Sequence, residues 1–126
     1  MSDLSTIQPE DQEIELVHPA NESGLGFYFT LRSPYHEKVK EAERKWLNKR
    51  LQKRKQKLTA ESLDAAAEAK ILAAVSGWRY RDETVTFDGQ QPEFNPKELQ
   101  TMLRKHAWIQ AFLDEELGDF GNFFTT

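Results

Sequence analysis

Few residues of this 126-residue chain have the types and spacing that catalysis or metal binding requires. Its three histidines, His18, His36 and His106, are far apart and lack the spacing of metal ligands. The chain has no cysteine, which excludes disulfides, thiolate metal sites and a cysteine nucleophile. The Gly-Leu-Gly stretch at 24–26 lacks the later glycine and the lysine of a phosphate-binding loop, and the acidic stretch at 114–116 is typical of solvated helix surface. We therefore expect no enzyme activity, no metal and no cofactor.

The strongest charge feature is a basic run, KWLNKRLQKRKQK, at Lys45–Lys57. The net charge of -4 divides into -6 over residues 1–37, +8 over 38–57 and -6 over 58–126. One interpretation is a nucleic-acid site, in which Lys and Arg neutralise phosphates and Trp46 stacks on a base. The other is a basic helix that pairs with acidic surface of the same chain or of a neighbouring copy. The net negative charge of the whole chain favours the interpretation as a basic helix that pairs with acidic surface, because nucleic-acid-binding domains are usually basic.

Length and composition are typical of one domain with a small core, since 38% of the residues are hydrophobic and 30% are charged. No apolar run approaches the roughly 18 residues of a membrane span. The first eleven residues lack the basic and apolar regions of a signal peptide. We therefore expect a cytoplasmic protein that does not bind membranes, with a flexible N-terminus at 1–12 and one helix-rich domain at 13–126.

The first predicted secondary-structure elements of the chain are two strands. EIELVH, which starts at Glu13, alternates apolar and polar residues. LGFYFTLR then places Phe27, Phe29 and Leu31 on one side. The turn-forming residues PANESG lie between the two runs. The pattern predicts a β-hairpin over residues 13–32.

Helical spacing of apolar residues follows the hairpin. A Ser-Pro pair favours a helix start at Pro34, and the helix is predicted over 34–57. A second helix, rich in alanine, is predicted over 60–76. Gly77 would end it in a left-handed conformation, and Trp78 would fold back on the last turn as a packing anchor.

The last third of the chain predicts two more helices. Asn95 as a cap and Pro96 at the first position favour a helix over 96–105, and apolar spacing continues over 107–117. The predicted fold is α+β and predominantly α-helical, an N-terminal β-hairpin followed by three to four helices. The predicted structural anchors are Gly77, Trp78, Asn95, Pro96, Trp108, Phe123 and Phe124, with Trp78 and Trp108 in or near the core.

Three blocks of sequence, taken in order, resemble a known family. They are HPANESGLGFYFTLRSPYHEKV at 18–39, AAVSGW at 73–78 and PEFNPKELQTMLRKHAWIQAFLDEELGDFGNFF at 92–124. The features are a His-Pro turn and glycine-bearing strand before a Ser-Pro helix start, a helix ending in Gly-Trp, a Pro-x-Phe helix start and a Phe-Phe tail. Their order resembles the tail assembly chaperones of long-tailed, siphovirus-type bacteriophages. The matching positions are Gly77, Trp78, Pro92, Phe94, Asn95, Glu98, Leu103, Trp108, Asn122, Phe123 and Phe124.

The resemblance implies a non-enzymatic escort protein. Members of the family coat the phage tape-measure protein, keep it soluble and help to recruit tail-tube subunits in the host-cell cytoplasm, and they are absent from the mature virion. A longer product of ribosomal frameshifting is typical, and its extra C-terminal domain binds the tail-tube protein. The role has a physical reason, because a long apolar helical chain aggregates when it is left bare.

The charge layout and the thin apolar stripe of the first helix predict self-association. Basic side chains on this helix would meet acidic surface on the next copy, and apolar side chains would supply most of the affinity. The residues predicted to contact a partner or a second copy are Trp46, Leu47, Lys49, Arg50, Lys53 and Arg54.

Two other functions stay open from the sequence. One is a small nucleic-acid-binding regulator that uses the basic helix at 45–57. The other is a structural tail or head-tail component that remains in the finished particle.

Overall fold

The structure of the chain, a computed structural model, describes residues 3–52 and 60–124. These residues form four α-helices and one three-stranded antiparallel sheet, with short 3-10 helices at Leu4–Thr6 and Phe120–Phe123. The predicted α+β class is confirmed. In chain order the elements are β1 (Gln12–Val17), β2 (Gly24–Leu31), α1 (Glu37–Gln52), α2 (Ala60–Ala74), β3 (Val75–Tyr80), α3 (Pro96–Lys105) and α4 (Ala107–Gly118).

Strand β2 is the middle strand of the sheet. Its neighbours pair with it on both edges, so that Phe29 lies opposite Ile14 of β1 and Trp78 of β3. Phe27, Phe29 and Leu31 point to the helical side and are almost fully excluded from solvent. The alternation of the LGFYFTLR run thus becomes one buried face and one outer face.

The third strand corrects the prediction of a helix over 60–76. Helix α2 ends at Ala74, and β3 begins at the next residue without a loop. Gly77 is not a left-handed helix cap, because it lies inside β3 and pairs with Thr30. Val75, Trp78 and Tyr80 have residue types that strands favour, and β2 offers them an open edge to pair with. The free edge of a partner strand therefore overrode the local helix signal.

A bulge in β3 brings its apolar side chains to the same face. Thr30 pairs with Gly77, but Leu31 pairs with Val75, so Ser76 is an extra residue in the ladder. Three positions separate Val75 from Trp78, and in a regular strand they would point to opposite faces. With the bulge, Val75 is buried and Trp78 packs against the same core.

Helices α2, α3 and α4 contact one another and close the core over the sheet. Asn95 and Pro96 begin α3 in the way their residue types favour: the Asn95 side-chain oxygen accepts a hydrogen bond from the backbone N–H of Glu98 at 2.8 Å. The buried residues that these three helices contribute are Ile71, Ala74, Leu99, Met102, Leu103, Ile109, Leu113 and Leu117.

The first long helix begins three residues later than predicted. Ser33 and Pro34 are buried and form a turn, in which the Ser33 hydroxyl accepts a hydrogen bond from the backbone N–H of Tyr35 at 3.0 Å. Helix α1 then begins at Glu37. The rest of the predicted helix, beyond Gln52, lies outside the described residues.

The two predicted tryptophan anchors have different environments. Trp78 is half-buried, and its indole N–H donates a hydrogen bond to the Pro92 carbonyl at 3.0 Å. Its ring meets Phe94 edge-on, with 5.1 Å between centroids. The prediction that Trp108 lies in or near the core is wrong, since 37% of it is exposed. The core-facing side of α4 is taken by Ile109 and the leucines that follow it.

The aromatic tail closes the core at the other end of the chain. Phe123 is buried, and its carbonyl accepts a hydrogen bond from the backbone N–H of Glu10 at 2.7 Å. Phe124 packs edge-on against Tyr35, with 6.2 Å between ring centroids. The flexibility predicted for residues 1–12 stays a prediction. Glu10, near the end of that stretch, is hydrogen-bonded to this tail.

We expect two leucine substitutions of identical chemistry to differ strongly in their effect on the free energy of unfolding. Leu31→Ala removes a side chain that is 0% exposed and should cost about 2–5 kcal/mol. Leu51→Ala removes one that is 55% exposed and should cost less than about 1 kcal/mol. Urea denaturation at low protein concentration measures both, and equal losses would contradict this core.

Alkaline pH should destabilise the protein partly through Tyr80. Its hydroxyl donates a hydrogen bond to the Pro92 carbonyl at 2.8 Å. Burial raises the pKa of Tyr80, and the negative charge of Glu98 adds to this. Because the pKa of Tyr80 is higher in the folded state, the folded state gains stability from the neutral hydroxyl. This contribution is fully present below the unfolded-state pKa of about 10, and it is lost as the pH rises through the folded-state pKa.

We therefore expect the Tyr80→Phe variant to lose about 0.5–1.5 kcal/mol at neutral pH and to show a shallower loss above about pH 10. Unfolding free energies measured along a pH series check this. Parallel curves for the wild type and the variant would show that Tyr80 does not contribute.

Candidate functional site

The second half of α1 carries apolar side chains that the core does not use. Leu47 is 50% exposed and Leu51, one turn later, is 55% exposed. We call these two residues the leucine ridge. Trp46 beside them is half-buried. The two leucines lie four residues apart and form a small exposed apolar patch on one face of α1.

The basic face predicted beside this ridge is placed only in part. Lys49 is exposed on α1. Arg50 belongs to the same helix, but its side chain is outside the described residues, as are Lys53 and Arg54 as a whole. The structure thus brings Trp46, Leu47 and Lys49 onto one helix, and the contact role of all six residues stays a prediction.

The ridge is exposed because α1 takes little part in the core. Helix α1 packs on α2, and Val39 in its first turns is fully buried. Among the other described side chains of α1, Ala42 and Trp46 are half-buried and the rest are exposed. The stripe is therefore too thin to bury the whole helix against its own chain.

An apolar groove of about 510 Å³ lies between α1 and α2. We call it the α1–α2 groove. Its alanine side chains are short, so a further helix can approach closely, as in other helix-in-groove complexes. The residues that line it are Ala42, Glu43, Trp46, Leu47, Ala66, Ala67, Lys70 and Asp114.

Acidic neighbours neutralise part of the positive charge of α1. Such exposed pairs contribute little to stability, but they lower the positive charge that a phosphate backbone would meet. The pairs that do so are Arg44–Glu37 at 2.7 Å and Lys45–Glu41 at 3.5 Å, both within α1, whereas Glu43 of α1 pairs with Lys70 of α2 at 3.4 Å.

A second concave surface lies where the start of β2 meets the segment between β3 and α3. This pocket measures about 490 Å³, and we call it the aromatic pocket. Trp108, the tryptophan that was predicted to be in the core, lines it instead. The lining residues are Leu16, Leu25, Phe27, Arg81, Thr84, Val85, Thr86, Phe87, Asp88, His106 and Trp108.

The segment at 81–93 contacts the sheet closely, through the Arg81 N–H to the Gly26 carbonyl at 2.7 Å among others, and its own side-chain hydrogen bonds hold its shape. Gly26 has a φ of +74°, and a Cβ there would lie 3.0 Å from a methyl of Val85. The Gln91 side-chain amide donates to the carbonyls of Asp82 at 2.8 Å and of Val85 at 2.9 Å. The Thr84 hydroxyl and backbone N–H both donate to the Asp82 carboxylate and hold the pKa of that carboxyl below its usual range.

A two-residue turn brings Phe87 to the pocket. Phe87 and Gln90 pair across Asp88 and Gly89, whose φ angles are +52° and +77°. Positive φ at both central positions is the geometry that Asp-Gly favours. The Asp-Gly pair at 88–89 is thus a sequence signal for this turn.

Charged and aromatic groups interlock on the outer face of the sheet. Arg79 donates two hydrogen bonds to the Glu13 carboxylate, at 2.6 and 2.8 Å, and lies 4.0 Å from the centre of the Tyr28 ring. The hydrogen bonds from Arg79 lower the pKa of Glu13. This arrangement joins the two edge strands across β2, so we assign it to the fold rather than to a site.

The structure places the three histidines apart from one another in the fold: His18 after β1, His36 before α1 and His106 between α3 and α4. Within residues 3–52 and 60–124, no three His, Cys, Asp or Glu side chains group in a way that would hold a metal ion. In the same part of the chain, no helix has the length and apolar content needed to cross a membrane.

Comparison with known proteins gives no relative from which a function could be transferred. No protein-family model matches this chain. No curated protein and no solved structure matches it either.

Proposed function

We propose that this chain is a tail assembly chaperone of a long-tailed bacteriophage. In this role it binds the tape-measure protein, keeps it soluble and helps to recruit tail-tube subunits, without enzyme activity. The observation that carries the proposal is the open, largely apolar α1–α2 groove. The order of the three sequence blocks supports it independently.

The groove suits an apolar helix as a ligand. Its apolar lining contributes binding free energy when water leaves, and the small side chains of Ala42, Ala66 and Ala67 permit close approach. Lys70 and Asp114 have opposite charges and line the same groove. Charges placed in this way set the register of a bound helix more than its affinity.

A chaperone that binds through the α1–α2 groove would have to act in many copies. One small domain covers only a short part of a long tape-measure chain, so we expect a homo-oligomer along it. The chaperone acts in the host-cell cytoplasm and leaves before the virion is complete, and a frameshifted longer form would bind the tail-tube protein. A retained structural tail component would instead be found in purified virions by mass spectrometry.

The ion pairs of α1 favour a protein partner over nucleic acid. Arg44 and Lys45 each have a carboxylate partner on their own helix, and the groove between α1 and α2 is apolar. A phosphate-binding surface instead collects cations that carboxylates do not neutralise. Binding of DNA or RNA that falls steeply with salt in a mobility-shift assay would favour the nucleic-acid regulator.

The test is co-expression with the tape-measure protein, which would be encoded in a long neighbouring reading frame. We expect the wild-type chain to raise the soluble fraction of that protein several-fold. Ala67→Gln extends a longer polar side chain into the groove and should remove most of this effect. Ala111→Gln makes the same change on the exposed surface of α4 and should leave the effect intact.

Circular dichroism and urea denaturation show that both variants remain folded, which makes the comparison interpretable. A tape-measure protein that stays equally insoluble with and without the wild-type chain would overturn the proposed function. Equal activity of Ala67→Gln and Ala111→Gln would instead show that the groove is not the binding surface.

A further inference from the structure

The leucine ridge and the aromatic pocket are unlike surfaces on different elements, and both are open in the same chain. The ridge belongs to α1, whereas the pocket is lined by the start of β2, the segment before α3, and the start of α4. No residue lines both. Each surface therefore stays available to a second molecule.

The apolar chemistry of the two surfaces is complementary. Leu47 and Leu51 present aliphatic side chains on one helix face, one turn apart. The pocket offers Leu25, Phe87 and Trp108, and its volume of about 490 Å³ lies in the range that proteins use to enclose a ligand. Aromatic side chains such as Trp108 often dominate the binding free energy of such contacts.

The charges around the two surfaces are also complementary. The second half of α1, residues 44–52, has four basic residues and no acidic one, and of the four only Arg44 and Lys45 pair with carboxylates of the first half among the described contacts. The segment at 81–93 has four acidic residues and one arginine, Arg81, which pairs with Asp82 at 3.2 Å. Asp88 lies at the pocket, 87% exposed, with Lys105 only at 4.0 Å. The basic half of α1 in one copy is thus attracted to the net negative segment at 81–93 of another.

We infer that copies of this chain join head to tail, with the leucine ridge of one copy seated in the aromatic pocket of the next. Contact between unlike surfaces does not close on itself after two copies, so it forms rings or open spirals. This inference rests on the proposed function, in which many copies cover one long partner. Leu47 belongs to both the ridge and the α1–α2 groove, but Ala42, Ala66 and Ala67 of the groove lie outside the ridge and remain available for the tape-measure protein.

The test uses one variant of each surface. Leu51→Asp disables the ridge, and Leu51 does not line the groove. Thr86→Tyr places a bulky side chain at the pocket, where Thr86 is exposed. Leu4→Asp makes the same change as Leu51→Asp at a residue that is 74% exposed on a different segment, and it serves as the matched control.

Sedimentation velocity over a concentration series gives the readout. We expect the wild type and Leu4→Asp to form species larger than a dimer, and we expect Leu51→Asp and Thr86→Tyr each to sediment as monomers. A mixture of the last two should form dimers and nothing larger, because Thr86→Tyr keeps a working ridge and Leu51→Asp keeps a working pocket. This rescue also shows that both variants are folded.

Other outcomes would overturn the inference. A wild type that stays monomeric at high micromolar concentration would end it, and so would a mixture that remains monomeric. If Thr86→Tyr lowers the soluble fraction of the tape-measure protein without changing sedimentation, the pocket binds that partner instead of a second copy. If self-association fails while the wild type still solubilises the tape-measure protein, the proposed function stands and only this interface is wrong.

Discussion

The buried face of β2 is the constraint on which the rest of the structure depends. Phe27, Phe29 and Leu31 can leave water only if something covers them, and β2 is hydrogen-bonded on both edges. The two neighbouring strands supply the hydrogen bonds, while α2, α3 and α4 supply the apolar cover. The three strands and helices α2, α3 and α4 are committed mainly to this task, whereas most of α1 stays exposed.

The aromatic pocket follows from the same sheet by a longer route. Trp78 and Tyr80 of β3 both donate hydrogen bonds to the Pro92 carbonyl, so the segment before α3 returns across the sheet. That path brings Phe87 to within 5.0 Å of Phe27, measured between ring centroids, and next to His106. The pocket therefore exists because the chain between β3 and α3 is held at both ends.

Stability and interaction divide between different parts of the chain. The core uses side chains that are almost free of solvent, whereas the ridge and the pocket expose leucine and tryptophan at some cost in solubility. A small domain needs most of its apolar residues for its core, so few remain for its surface. The cost in solubility is small if the exposed surfaces are covered by other molecules, as they would be in an array of copies along one partner.

The sequence by itself determined the elements whose signals lie within a few residues: the alternating face of β2, the cap of α3 at Asn95 and Pro96, and the thin stripe that exposes Leu47. The tertiary structure decided the rest. Val75–Tyr80 became a strand because β2, far earlier in the chain, had a free edge, and no local pattern records that edge. Trp108 and Phe87 came together with Leu16 because of the sheet and the segment that crosses it. Of the ridge, Leu47 was therefore visible in the sequence, but the pocket was not, because its residues share a surface only after the chain has folded.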